Sequence, residues 1–546
     1  MKNLYPLLTL LLLALSGYAQ TRSYVITAFG AVADGETNNA TMLQKLIDRA
    51  SAQGGGRVVV PLGNFMTGSI FLKSNVELHL QKGARLLGSP NLRDYSSGRV
   101  ALKSARPGEY NDYGNERIAV VAAHNQTNVS ITGKGVIDGQ GQELMLDIFK
   151  KLRSGEIKQD TIWKVKRPSG RALVLNMTGC KKVTVTGITL KNSSEWVQDY
   201  RECDGVTIDG ITVQSTTYWN NDGLDLTDTR NVRITNCFIN SADDGICLKS
   251  DNPRSGCENV TIENCTIRSS ANGLKFGTTS AGGFKNVKAR NLTIFDTYRS
   301  AIALELVDGG TMEGIDIRDV VARNTGNAIF IRRGHRNKTG AVGSIRGVYI
   351  ANVKAEVPLL KPDQGYPLEG PPDHLRPGED KMPKRPSSFH IYGHPYLPYN
   401  LVPASITGLP GYPVQDVTLE NIEISYGGRA DKTIAHIPLD KITSVPENEA
   451  GYPEFSMFGE LPAWGFYVRH AEGIRFKNLR LRYVEEDFRP ALIFDDARQI
   501  ELSDVSVLTA NQMPVIMLNN TAEVKTTNLK LPVDAEKGIL KTNYGK

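Results

Sequence analysis

Long apolar runs are scarce in this sequence. After Leu4–Leu15 no segment approaches the 18 apolar residues that a membrane-spanning helix needs, which excludes a chain threaded through a bilayer on helices. An excess of one charge is missing too: 64 Lys and Arg against 58 Asp and Glu leave +6 over 546 residues. That balance fits an ordinary solvated surface or a mild preference for acidic substrates, and gives no reason to expect a nucleic-acid partner. Cysteine is limited to six residues, all between Cys180 and Cys265, at spacings unlike those of a zinc site. Most of the chain also lacks room for crossover helices between its short strands, which excludes an alternating α/β fold.

The first residues, Met1-Lys2-Asn3 followed by Leu4–Leu15 and Ser16-Gly17-Tyr18-Ala19, have the pattern of a signal peptide over 1–19 with cleavage after Ala19. The expected destination is the periplasm or the exterior, with no lipid anchor, since no cysteine lies near the cut. Residues 20–546 then form one domain. Export permits disulfides, yet Cys237 and Cys265 sit at matching places in Asn231-Val-Arg-Ile-Thr-Asn-Cys and Asn259-Val-Thr-Ile-Glu-Asn-Cys. Buried structural thiols and at least one disulfide both remain open.

What is abundant is repetition. A strand-like alternation begins at Val183, Val206, Val232, Val260, Val287 and Ile315, at intervals of 23 to 28 residues, with looser copies at Val348, Val417, Ile474, Ile500 and Val524. Each copy runs into an Asn, Asp or Gly turn. Strands at this period without helices must stack in parallel as a solenoid. The expected fold is therefore all-β, a single parallel β-helix. Asn39–Ala52, with Leu43, Leu46, Ile47 and Ala50 at helical spacing, serves as an N-terminal cap within about 24–56. Thirteen of the 26 prolines fall from Pro358 to Pro413, so a loop insertion is expected at about 354–413. A second excursion fills much of 434–464.

Two acidic clusters stand out against this background. Asn220-Asn221-Asp222-Gly223 and Ala242-Asp243-Asp244-Gly245 place Asp222 and Asp243 21 residues apart, about one coil. Aligning the strands that follow stacks Asp222 with Asp244, sets Asp243 beside them, and sends Asp225, Cys247, Lys249, Lys275 and Glu305 outward on one wall. Carboxylates crowded in this way repel, and they point to acid/base chemistry or a cation site.

The two motifs resemble the Asn-x-Asp-Gly and Asp-Asp motifs of family 28 glycoside hydrolases, the polygalacturonase family. Phe29-Gly30-Ala31, Asp34-Gly35, Gly68–Ser74 and Ile137–Gly141 are similar to its bacterial members as well. The resemblance implies a right-handed β-helix and hydrolysis of α-linked pectic sugars, galacturonic acid or rhamnose, with inversion. It implies that Asp243 is the general acid and that Asp222 and Asp244 activate water. Two departures accompany it. Ala271-Asn272-Gly273 stands where the family has Gly-His-Gly, and Ala303-Leu304-Glu305 where it has a carboxylate-gripping Arg-Ile-Lys.

The candidate substrate-binding residues are thus Asn220, Lys249, Asn272, Lys275, Glu305 and Arg332, with Trp219 as a stacking surface near the acids. Tyr452 and other aromatic residues of the two excursions are further stacking candidates. A pectic poly- or oligosaccharide is the expected partner of a monomeric chain, with no cofactor and no metal. The long excursions are expected to close one end of a groove, giving an exo-acting enzyme. A Ca²⁺-dependent β-helix lyase and a non-catalytic carbohydrate-binding β-helix are the alternatives.

Overall fold

Parallel backbone pairing from coil to coil organises the whole chain. The computed structural model describes residues 22–96, 117–156, 171–217, 220–337, 340–360, 362, 400–428, 437–510, 514–532 and 535–545. Its strands form three parallel stacks wound into a right-handed β-helix. The first stack carries the repeat seen in the sequence, with Val183 opposite Val206, Val206 opposite Val232, Val232 opposite Val260, and onward through Val287, Ile315, Val348, Val417 and Ile474. The second stack includes Thr189–Lys191, Thr212–Ser215 and Phe238–Ser241. The third includes Gln198–Arg201, Leu224–Thr227, Ile246–Ser250 and Leu274–Ser280.

Inside the coils the apolar columns are continuous. Leu224, Ile246, Leu274, Ile302 and Ile329 form one, and Leu226, Leu248, Phe276, Leu304 and Ile331 another, all buried. The register slips after Phe276, so that Ser250 lies opposite Ser280. Lys249 therefore does not continue into Gly277 as a uniform alternation requires. The six cysteines are all free and buried, serving as small apolar residues of the core.

Turns are held by asparagine. Asn231, Asn259 and Asn286 adopt φ of 57°, 56° and 53°, a left-handed conformation that Asn tolerates better than most residues. Asn259 Nδ2 donates to Asn231 Oδ1 at 3.2 Å, and Asn286 Nδ2 to Asn259 Oδ1 at 3.3 Å. Each turn thus ties down its neighbour.

The N-terminal end is covered by a helix at Ala40–Ala52 that buries Leu43, Leu46, Ile47 and Ala50. The first coil starts earlier than the sequence indicates, because Ser23–Val25 pairs with Arg57–Val59; three residues are too few for an alternation signal. A second helix at Gly141–Ser154 departs from the repeat and buries Leu144, Met145 and Ile148. Of the expected insertion at 354–413, residues 363–399 lie outside the described residues, whereas Ala404–Thr407 is a strand of the third stack, paired with Phe330–Arg332. The expected signal peptide also lies outside them.

Glycine sets the geometry where the second stack turns into the third. A Cβ on Gly223 would lie 2.4 Å from Ile239 Cγ2 and 2.7 Å from the Gly245 carbonyl oxygen, and one on Gly245 2.4 Å from Ile267 Cγ2 and 2.6 Å from that of Gly273. The glycine after each acidic motif is thus a packing requirement: only a hydrogen fits between successive coils. We expect Gly245→Ala to lower the unfolding free energy by about 1–3 kcal/mol through overpacking, read as a reduced urea midpoint. An unchanged midpoint would show that the coils can spread.

Candidate active site

The acidic motifs occupy the turns that enter the third stack. Ser241 and Ser269 donate to the Asp243 carbonyl at 2.9 and 2.6 Å, and Asn221 is locked by the carbonyls of Ser193 and Glu195 at 2.9 and 2.8 Å. The turn backbone is therefore rigid, and successive turns bond to one another: Gly223 N–H donates to the Asp244 carbonyl at 2.8 Å, and Gly245 N–H to that of Asn272 at 2.8 Å. This places Asp222, Asp244 and Asn272 in one column.

Each carboxylate of the column meets a cation from the coil above. Lys249 Nζ donates to Asp222 Oδ2 at 3.1 Å and to Asp225 Oδ1 at 2.6 Å. Lys275 Nζ donates to Asp244 Oδ2 at 2.9 Å and lies 3.7 Å from Glu305 Oε2. Asn272 gives Asp244 Oδ1 both its side-chain amide, at 2.8 Å, and its backbone N–H, at 3.2 Å. Asp243 accepts from Asn220 Nδ2 at 3.2 Å and from the Asp244 N–H at 3.0 Å.

These surroundings separate the two stacked carboxyls. Burial drives the Asp222 carboxyl well above the usual range; Lys249 opposes this, while Asp225, Asp243 and Asp244 add to it. Burial acts in the same sense on Asp244, but the ammonium groups of Lys275 and Lys249 outweigh it and hold that carboxyl below the usual range. One member of the column is thus a proton holder and the other an ionised acceptor. Asp222, Asp225 and Cys247 also present ligand atoms within 4.8 Å of one another. The Lys249 ammonium touches all three, with Cys247 Sγ at 2.9 Å, so the cation at this point is the protein's own.

Of the candidate residues, Asp222, Asp243, Asp244, Asn220, Lys249, Asn272, Lys275 and Glu305 come together in this network. Arg332 lies opposite Glu305 in register, but its guanidinium donates to the carbonyls of Gly408 and Glu447 at 2.8 and 2.7 Å. It braces the segment described below. Trp219 lies outside the described residues. Three contributors were absent from the candidate set. Asp225 was readable as the first outward residue after Gly223. Trp196, in the turn one coil earlier, lies with its ring centre 4.4 Å from Lys249 Nζ, and nothing in the local sequence signals that contact. Arg299, whose Nε lies 3.3 Å from Glu454 Oε2, joins through a segment more than 150 residues away.

That segment, 437–464, crosses the outward face of the third stack. The outward column continues from Lys275 through Ala303, Phe330, Ser405, Tyr467, Ile493 and Met517. Its apolar members form a second core with Ile442, Val445, Phe455, Met457, Phe458, Leu461 and Ala463. The near end reaches the acids, where Tyr452 Oη lies 3.3 Å from Lys275 Nζ.

The described residues thus form a β-helix with acids and cations alternating on one wall. Residues 60–357 match the glycosyl hydrolases family 28, and the chain belongs to that family. A probable polygalacturonase of Vitis vinifera is 27% identical over 343 residues, 61% of this chain and 60% of that protein. An exo-poly-alpha-D-galacturonosidase of Dickeya chrysanthemi is 24% identical over 353 residues, 58% of either chain. The chain thus spans about 60% of the length of these curated relatives. In fold it is similar to the family 28 exopolygalacturonase of Yersinia enterocolitica, with a TM-score of 0.57 at 20% identity over 94% of this chain and 80% of that one. The hyperthermoactive exopolygalacturonase of Thermotoga maritima gives 0.55 at 24%, over 74% and 87%.

Glu305 supplies a pH test of the wall. Burial raises its carboxyl from the ordinary 4.5 to about 7, with Lys275 opposing. A carboxyl raised on folding stabilises fully below its unfolded value, and that contribution is lost as pH rises through the folded one. Unfolding free energy should therefore fall between about pH 4 and pH 7, by at most about 3 kcal/mol from this group. Glu305→Gln should flatten that part of the profile in urea titrations at a series of pH values; an unaltered slope would mean that Glu305 stays ionised.

Proposed function

We propose that this chain is an exported glycoside hydrolase that removes α-linked sugars, galacturonic acid or rhamnose, from the ends of pectic chains with inversion. The observation that carries the hydrolytic part is the split between two stacked carboxyls: Asp244 is held ionised by Lys275, and a proton is retained at Asp222 beside Asp243. Hydrolysis needs one acid and one base on opposite sides of the glycosidic carbon. Asp243 passes its proton to the departing glycosidic oxygen as the C–O bond breaks. Asp244, with Asp222, orients a water molecule; its oxygen bonds to the anomeric carbon and its proton goes to the Asp244 carboxylate. Asp243 lies near enough to act on the Asp222 carboxyl, so the proton held there can be passed to the acid.

Asp222→Asn, Asp243→Asn and Asp244→Asn should each lower kcat by roughly 10² to 10⁴-fold, measured as reducing ends released from pectic oligosaccharides. Asp222→Asn should melt no lower than the parent, because the amide replaces a carboxyl that already carries a proton. Near-parental rates in all three variants would remove the assignment, and products absorbing in the ultraviolet would mean elimination instead.

Support for attack at the chain end comes from segment 437–464. It buries the outward face of the coils beyond Lys275 in an apolar layer, so that among the described residues the wall on that side is covered. A defined oligosaccharide should yield a single small product from the first minutes of reaction. An early spread of intermediate lengths would refute the exo assignment.

A further inference from the structure

Every described cation in the catalytic network is already matched by a carboxyl, and carboxyls outnumber cations. Lys249 is shared by Asp222 and Asp225, Lys275 by Asp244 and Glu305, and Arg299 is paired with Glu454 at 3.3 Å. With Asp243 included, three cations face six carboxyls. Further down the wall Arg117 is taken by Asp199 at 2.7 Å, and Arg171 lies 3.9 Å from Glu195. Even with protons on Asp222, Asp225 and Glu305, whose carboxyls burial raises, the network only reaches neutrality. Among the described residues of this network no surplus positive charge is left to compensate a sugar carboxylate as it loses water, Arg332 being turned to backbone carbonyls, and an uncompensated buried charge is expensive.

The rim beside this network is aromatic. Tyr452 is 40% exposed, although its hydroxyl lies 3.3 Å from Lys275 Nζ and its ring centre 5.5 Å from the same nitrogen and 5.9 Å from Arg299 Cζ. Its ring lies beside cations that are themselves neutralised, and an exposed aromatic ring face is apolar. Such a face packs against the C–H side of a pyranose and asks for no charge.

We infer that the sugar released by this site is uncharged, a neutral or deoxy pyranose at the end of a pectic chain that stacks on Tyr452, with Asp244 and Glu305 already occupying the ammonium by which Lys275 would otherwise hold a uronate. This deepens the hydrolytic assignment above and rests on it.

The test separates binding from turnover. Calorimetry on the Asp243→Asn protein compares a rhamnose-ended galacturonate disaccharide with digalacturonate; removing one carboxylate makes the comparison lenient toward the uronate. The rhamnose-ended probe should bind at least about tenfold more tightly at low salt, a modest effect for one uncompensated charge. Digalacturonate affinity should rise as salt screens the repulsion. Equal or tighter binding of digalacturonate, weakening with salt, would overturn the inference.

In the unsubstituted enzyme, release of galacturonic acid without release of the neutral sugar would overturn it too, while leaving glycoside hydrolysis standing. If neither probe is split, the hydrolytic assignment fails and the binding preference still decides the charge of the sugar. At about pH 8, where Glu305 is ionised, Glu305→Gln, and Glu305→Lys as the stronger change, should narrow the preference by about tenfold through gained uronate affinity. Retained affinity for the neutral probe reports an intact fold, and an unmoved preference in both variants would overturn the role given to Glu305.

Discussion

Backbone pairing between successive coils leaves each residue of one turn directly above its counterpart in the turn before. Strands so paired lie about 4.8 Å apart, and the glycine column at Gly223, Gly245 and Gly273 keeps that distance at the point where chemistry is placed. Asp222 and Asp244 are brought together by this spacing, because the column continues whatever its side chains prefer. Repulsion between them is tolerated because the other pairings of the same ladder hold the turns in position. The Asn ladders at other turns of the coil serve the same end.

Charge on the wall is arranged to offset that crowding. A lysine reaches from the following coil to each stacked carboxylate, Lys249 to Asp222 and Lys275 to Asp244. The two pairs are nevertheless unequal. Asp222 has Lys249 alone, shared with Asp225, whereas Asp244 has Lys275, Lys249 and Arg299 acting on it and the Asn272 amide. Two carboxyls of the same type, one coil apart, acquire opposite protonation through this difference in partners. Beyond Lys275 the wall changes from charged to apolar, and segment 437–464 covers it. Glu447 fastens that cover through Arg469 at 2.6 Å and His470 at 3.0 Å, and Glu454 and Tyr452 bring its near end to the acids.

Much of this was legible in the sequence because a solenoid is close to one-dimensional. Val183 and Val206 announce their own pairing by occupying the same place in the same short pattern, and the inward columns from Leu224 and Leu226 follow from alternation alone. The same logic located Asp222, Asp243 and Asp244 together with Lys249, Lys275 and Glu305. It failed where the coil is irregular. Ser23–Val25 is too short to show a period, Gly141–Ser154 interrupts the repeat with a helix, and the slip after Phe276 shifts the register by two residues. Arg332 was placed on the correct wall, yet its partners are backbone carbonyls of distant segments, which no local pattern encodes.

The sequence by itself determined the winding of the chain, the stacking of its carboxylates and the membership of their wall, because coil register converts linear spacing into neighbourhood. Which carboxyl keeps its proton was decided only by tertiary structure, since burial and the reach of individual lysines have no trace in spacing. The approach of Arg299, Tyr452 and Glu454 was decided there too. Arg299 is separated from the other two by more than 150 residues, and they meet because an apolar segment, finding no place inside the coils, buries itself against their outer face.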